Sequence, residues 1–232
     1  MISDENGQWL RGDVVGILVA HFLGATHVAV PVNANTALEL ANPDMATKRT
    51  RIGSPYVIEA MQVLAGKTQS SKVAGYEANG GFLVGSDMPC ELGVLRALPT
   101  RDAVLPILAV LYQAFKEAQP ISQLVAALPA RYTYSDRIQN VPTAFSQAFI
   151  AQLKQDSQQM QAFLQSTGTD TVQIERLDET DGLRIYLGNQ GIVHLRPSGN
   201  APELRCYAET ATIERSKQIV ENALTYAQRI LV

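Results

Sequence analysis

Near the C-terminus, Arg196-Pro197-Ser198-Gly199-Asn200-Ala201-Pro202, followed by Arg205, collects the residue types that hold a small tetrahedral anion. A phosphate monoester needs several donors converging on one point. Gly199 admits backbone N–H groups at close range, the Ser198 and Asn200 side chains add donors, and Arg196 offers a two-pronged charged contact. Pro197 and Pro202 stiffen the ends. The same residues also describe a rigid hairpin loop with a surface arginine, and composition alone leaves both readings standing. A second segment, Gly75-Tyr76-Glu77-Ala78-Asn79-Gly80-Gly81, puts a carboxylate and an amide into a glycine-rich turn but lacks the spacing of a dinucleotide-binding GxGxxG. A third, Lys48-Arg49-Thr50-Arg51-Ile52-Gly53-Ser54, reads either as a ligand-facing loop ahead of a helix or as a solvated, charge-paired strip. His21 and His27 lie in apolar surroundings without metal-ligand partners and His194 is mid-strand, so all three read as structural. Trp9 reads as a packing residue.

The scaffold behind these segments is bounded by composition. The chain has 232 residues, above the ~100–150 of a usual domain, which points to two domains. With 46% hydrophobic and 18% charged residues it can bury a core, and disorder is excluded. The apolar stretches Val14 to Ala20 and Val104 to Leu111 fall short of the ~20 residues that span a bilayer, and the N-terminus has no basic-then-apolar pattern. A soluble, cytoplasmic protein is expected. A net charge of −3 gives no general attraction to polyanions, so nucleic-acid and membrane partners are disfavoured. Cys90 and Cys206 are too few for a disulfide scaffold or a structural zinc site and read as small buried apolar residues in a reducing compartment.

Periodicity supplies the elements. Val14 to Leu23 is predicted to be a buried helix stopped at Gly24, His27 to Val32 a strand, and Asn35 to Ala41 a short helix. Ser54 is predicted to cap a helix with Pro55 at its first position, running to Gly66, and Val73 to Tyr76 is the next strand. This alternation describes a layered α/β domain over residues 1–130. Its last long helix is expected to begin at Thr100, and Pro106 sits inside its pattern Asp102 to Glu117, so the helix starts late or kinks there. Ile121 to Leu128 is a further short helix, and Pro129 to Asp136 breaks the periodicity at the domain boundary. Over 131–232, a helix from Thr143 to Gln165 precedes strands Thr171 to Leu177, Leu183 to Leu187, Ile192 to Arg196 and Glu203 to Ala208. Turns are expected at Asp181-Gly182 and Gly188-Asn189-Gln190-Gly191, and an amphipathic helix at Ala211 to Leu231. The second domain is therefore expected to be α+β, with a small antiparallel sheet flanked by helices.

The stretch RPSGNAPELRCYAE resembles the phosphate-binding loop of the α-D-phosphohexomutases, the phosphomannomutase and phosphoglucomutase family, where RPSGTEP and a following arginine are usual. Arg196, Ser198, Gly199 and Arg205 match; Asn200 and Ala201 replace the common threonine and glutamate. Asn200 can still donate, and Ala201 cannot. GYEANGG resembles the family's sugar-binding loop, often GEMSGH. The resemblance implies that Glu77 accepts from the O3 and O4 hydroxyls of the sugar and that Asn79 stands in for the serine, while Gly81 occupies the place of a common histidine. Lys48, Arg51 and Ser54 match a basic and polar region near the sugar and are possible substrate contacts.

The resemblance covers nearly the whole chain but only the third and fourth of the family's four domains. The family's phosphorylated serine sits in Ser-His-Asn, whereas the histidines here precede Phe22, Val28 and Leu195; its magnesium loop is Asp-Gly-Asp, whereas the Asp-Gly here is Asp181-Gly182 in a hairpin. The chain is expected to begin just after that metal loop, with Met1 an internal or engineered start. The resemblance therefore implies the substrate-recognition half of an isomerase that interconverts hexose 1-phosphate and hexose 6-phosphate through a phosphoserine and a bisphosphate intermediate. It is expected to be inactive alone, with no catalytic residue and no metal ligand on this chain. Mg2+ is implied for the complete enzyme, and the implied partners are a mannose or glucose phosphate and the N-terminal half. The alternative is a standalone, non-catalytic phosphosugar-binding or regulatory module.

Overall fold

The computed structural model describes residues 2–66, 71–90, 93–169 and 173–231. The chain forms two compact units, Met1–Ala130 and Arg131–Val232. In the first, α1 (Gly12–Phe22) leads to β1 (His27–Pro31), α2 (Ala37–Ala41), β2 (Ala46–Thr50), α3 (Ser54–Ala65) and β3 (Val73–Tyr76). Then come β4 (Phe82–Val84), the small ribbon of β5 (Met88–Cys90) and β6 (Gly93–Leu95), β7 (Leu98–Asp102), α4 (Val104–Glu117) and α5 (Ile121–Ala126). The main sheet has the order β2-β1-β3-β4-β7, parallel among its first three strands and antiparallel at β4 and β7.

Alternate residues of the central strands feed opposite cores, which makes this unit an α/β/α sandwich. Val28, Val30, Ala74 and Tyr76 pack with Ile17, Val19 and Val110 on one face. Ala29, Val73 and Leu83 pack with Val57 and Met61 of α3 on the other. Thr100, expected to open the helix α4, lies in β7 instead; Pro106 falls in the first turn of α4, where its missing N–H would have no intrahelical partner, so the helix starts late and does not need to kink.

The second unit comprises β8 (Tyr132–Gln139), α6 (Thr143–Gln155), α7 (Ser157–Thr167), β9 (Ile174–Asp178), β10 (Leu183–Leu187), β11 (Ile192–Pro197), β12 (Glu203–Thr210) and α8 (Ile213–Leu231). Its antiparallel sheet has the order β8-β12-β11-β10-β9. Leu183, Ile185, Val193, Leu195, Leu204 and Cys206 face a single core with Phe149, Phe163 and Ile219 of the helices. The opposite face carries Arg184, His194, Arg205 and Tyr207.

Several expectations need correction. The predicted helix from Thr143 to Gln165 is two helices, because Asp156 leaves the helical conformation and caps α7, its Oδ1 accepting from Gln158 N at 2.8 Å and Gln159 N at 3.2 Å. Residues 132–136, read as part of the boundary, belong to the strand β8. The helix α3 is capped at Gly53, not Ser54, whose hydroxyl makes no cap bond. Trp9 is 68% exposed, beside a lone bridge to Ser3. Cys90 is exposed because it ends a two-stranded ribbon too small to bury it, whereas Cys206 is buried. Thr171, where the sequence starts the strand now seen as β9, lies outside the described residues.

Candidate functional site

Because β1, β2 and β3 run parallel, the segments that follow them leave from one edge of the sheet, the edge where ligands bind in folds of this type. Glu77 is the first residue after β3 and is only 6% exposed. Ser54 Oγ donates to Glu77 Oε2 at 2.6 Å, and Arg101 Nη1 stands 3.8 Å from the same oxygen. The loop closes on itself: Glu77 N donates to Gly81 O at 2.9 Å, Gly80 N to Glu77 O at 3.0 Å, and Gly81 N to Asn79 Oδ1 at 3.1 Å. Asn79 thus uses its oxygen inside the loop and presents its NH2 group.

Two glycines set the position of this loop. A Cβ on Gly12 would lie 2.0 Å from Gly80 N, so α1 can start against the loop only without a side chain there. A Cβ on Gly81 would fall 2.6 Å from Arg101 Cδ, so the arginine stem occupies the space above that glycine. Asn79, Gly80, Gly81, Arg101 and Asp102 line a groove of about 370 Å³.

The basic segment divides. Lys48 lies on the edge strand β2 and not in a loop, and with Arg51, Tyr56 and Glu59 it lines a separate groove of about 400 Å³. Arg51 stacks its guanidinium 5.2 Å from the centre of the Tyr56 ring. Arg49 grips Glu39 at 2.9 Å and the Ala34 carbonyl at 2.6 Å, which fixes the turn after β1. Of the residues singled out here, Ser54 alone joins Glu77.

In the second unit the loop after β11 is compact. Ser198 N donates to Glu203 O at 2.9 Å and Glu203 N to Ala201 O at 2.8 Å, leaving Ser198 buried with Gly199 and Asn200 exposed. Arg196 is in register with Arg205, and Arg205 with Arg137 of β8, so three arginines occupy adjacent register positions on one face. Each meets a carboxylate. Arg196 Nε lies 2.8 Å from Asp181 Oδ2, Arg205 donates to Glu203 Oε2 at 3.0 and 3.2 Å, and Arg137 Nε is 3.4 Å from Glu203 Oε1. Burial opposes ionisation of Glu203, but the Arg205 hydrogen bond and the charges of Arg137 and Arg205 hold its carboxyl below the ordinary value. Ser135, Arg137, Arg205 and Tyr207 line an open hollow of about 250 Å³ on this face.

Three participants escaped sequence reasoning. Asp13 is buried at the start of α1, paired with Arg11 at 3.1 Å, and accepts from Asn35 N at 3.0 Å, tying the helix to the turn after β1. Its signal was an acid in a first helical turn directly after a glycine. Arg101 and Arg137 lie on short or edge strands that the apolar pattern did not reveal. Burial pushes the Cys206 thiol far above its ordinary value, so it is no nucleophile. Among the described residues no group of three or more His, Cys, Asp or Glu side chains could hold a metal ion, and no helix is long and apolar enough to cross a membrane.

The family described as phosphoglucomutase/phosphomannomutase, alpha/beta/alpha domain III, matches residues 11–132, and its C-terminal domain matches residues 139–225. A phosphomannomutase of Salmonella muenchen is 46% identical over 225 residues, covering 97% of this chain and 46% of the relative. A phosphomannomutase of Sinorhizobium fredii is 38% identical over 232 residues, covering 100% of this chain and 48% of the relative. The chain thus spans about half the length of these curated relatives. An N-acetylphosphoglucosamine mutase variant of Aspergillus fumigatus, in complex with glucose 1,6-bisphosphate, shares the fold with a TM-score of 0.65 at 14% identity, over 98% of this chain and 45% of that one.

Proposed function

The chain belongs to the phosphoglucomutase/phosphomannomutase family, and from that premise we propose that it is the substrate-recognition half of a phosphomannomutase that interconverts hexose 1-phosphate and hexose 6-phosphate. The observation that carries this reading is the row of arginines Arg196, Arg205 and Arg137 across three neighbouring strands, beside a loop whose Gly199 and Asn200 are open to solvent. In the proposal Arg196, Ser198, Gly199, Asn200 and Arg205 hold the phosphate that is not being transferred. A planar guanidinium suits two oxygens of one phosphate, and backbone N–H groups near Gly199 complete the set.

Glu77 is assigned to the sugar. Ser54 and Arg101 both engage its Oε2, and Oε1 carries no protein hydrogen bond among the described residues. That oxygen can accept from neighbouring hydroxyls of a hexose, with the Asn79 amide as a donor beside it. Lys48 and Arg51 border a different groove and are kept only as outer contacts.

Phosphoryl transfer needs an in-line donor and charge stabilisation. In this reading a phosphoserine supplies the donor, and magnesium would supply the charge stabilisation. Neither Ser-His-Asn nor Asp-Gly-Asp occurs in this sequence, and its described residues offer no metal site. The chain's own contribution is to bind and orient.

A phosphorus NMR titration with mannose and glucose phosphates tests this. With part of the cleft supplied by this chain, binding is expected to be no tighter than about 1 mM. Each charged contact contributes about 1.5–3 kcal/mol, so Arg196→Ala should weaken binding roughly ten- to hundredfold. Unchanged binding in that variant would sink the loop assignment. A coupled mutase assay should give no turnover, and metal-dependent turnover by the purified chain would show that the catalytic parts have been misplaced.

A further inference from the structure

We propose that Asp181 is a positioning residue for Arg196: the Asp181-Gly182 turn holds the guanidinium by its Nε side so that its Nη side faces the loop that takes the phosphate. This rests on the phosphate-binding reading given above. Asp181 Oδ2 and Arg196 Nε are 2.8 Å apart, an ion pair in which the Nε–H itself makes no hydrogen bond, and with side chains 9% and 13% exposed the pair is screened far less than a surface one. At its other end the same guanidinium reaches the loop, where Arg196 Nη2 lies 3.9 Å from the point a Cβ on Gly199 would occupy.

The turn itself is anchored. The ring of His194 is fully buried, and its Nε2 donates to the Asp181 carbonyl at 2.6 Å. Gly182 has φ +89°, and a Cβ there would lie 2.2 Å from Leu195 O and 3.0 Å from Arg196 Cα. The turn can therefore lie against β11 beside Arg196 only because this residue has no side chain.

The chemistry suits such a holder. A guanidinium has five N–H donors in a fixed plane, so a carboxylate held by charge at the Nε side leaves the Nη donors for a phosphate. A long side chain held in place before binding loses less rotamer freedom when the anion arrives.

The test measures mannose 6-phosphate affinity of the full chain by NMR. Arg196→Ala comes first: wild-type affinity in that variant would remove the phosphate reading and this inference together. Where Arg196 is required, Asp181→Ala should weaken binding about tenfold, Asp181→Asn less, and Asp181→Ala added to Arg196→Ala nothing further. The Nε–Hε signal of Arg196 should be sharp in the ligand-free wild type and broadened in Asp181→Ala. If Asp181→Ala does not fold by circular dichroism, Asp181→Asn, of the same size, carries the comparison. An Asp181 variant that binds as tightly as the wild type or tighter, or that loses the same factor with and without Arg196, overturns the positioning role and leaves the phosphate reading intact.

Discussion

His194 is held neutral by its surroundings. Burial depresses its pKa first and the Arg184 charge next, against the opposing Asp181 carbonyl and carboxylate, taking it from 6.5 to about 4. The unfolded chain protonates at the ordinary value and the folded chain does not, so the protein binds fewer protons when folded between these two pH values. Stability is therefore full above pH 6.5 and falls as the pH drops towards 4. The loss from this residue should be about 3 kcal/mol. Urea unfolding of the wild type and His194→Asn at several pH values reads it as a difference in slope. Equal slopes would show that the ring titrates normally. The same ring supports the Asp181 turn, so acid should loosen that turn before the rest of the sheet.

At the scale of the element, Asp156 decides where one helix stops and the next begins. Its carboxylate satisfies two backbone donors that α7 would otherwise leave open. Asp156→Ala should destabilise the protein by about 1 kcal/mol in urea unfolding, and a change within error would mean the break is held by packing instead. The break was hidden in the sequence because Phe149, Leu153, Met160, Phe163 and Leu164 keep a helical spacing straight across it, although Asp156-Ser157 carried the cap chemistry. Strands β1 and β3 were legible because both faces are largely buried and their residues mostly apolar, and β10 and β11 because apolar Leu183, Ile185, Val193 and Leu195 alternate with other side chains. The edge strands β2 and β8 carry lysine, arginine and hydroxyl side chains, and β4 to β7 are three to five residues long, so no alternation stands out. Within the candidate site, the Arg196 loop and the Glu77 turn were readable from glycine and charge spacing. Asp181, Arg101 and Arg137 were not, since their neighbours come from other strands.

At the scale of the whole chain, each unit encloses apolar cores of its own, with Phe149, Phe163, Ile185 and Leu195 in one and Ile17, Val30, Tyr76 and Val110 in another. A domain of roughly 100 residues with such a core is large enough to fold unaided. Residues 131–232 expressed alone should therefore unfold in one cooperative transition by far-ultraviolet circular dichroism, and a gradual, non-cooperative change would contradict that. The pairing of Arg196 with Asp181 and of Arg205 with Glu203 has a further consequence for this unit. If this face is the proposed phosphate site, its charges are largely paired before a ligand arrives, so it should exert little long-range pull on passing anions. Such a site would select a guest with enough oxygens to share guanidiniums that are already occupied, favouring a fitted shape over mere negative charge.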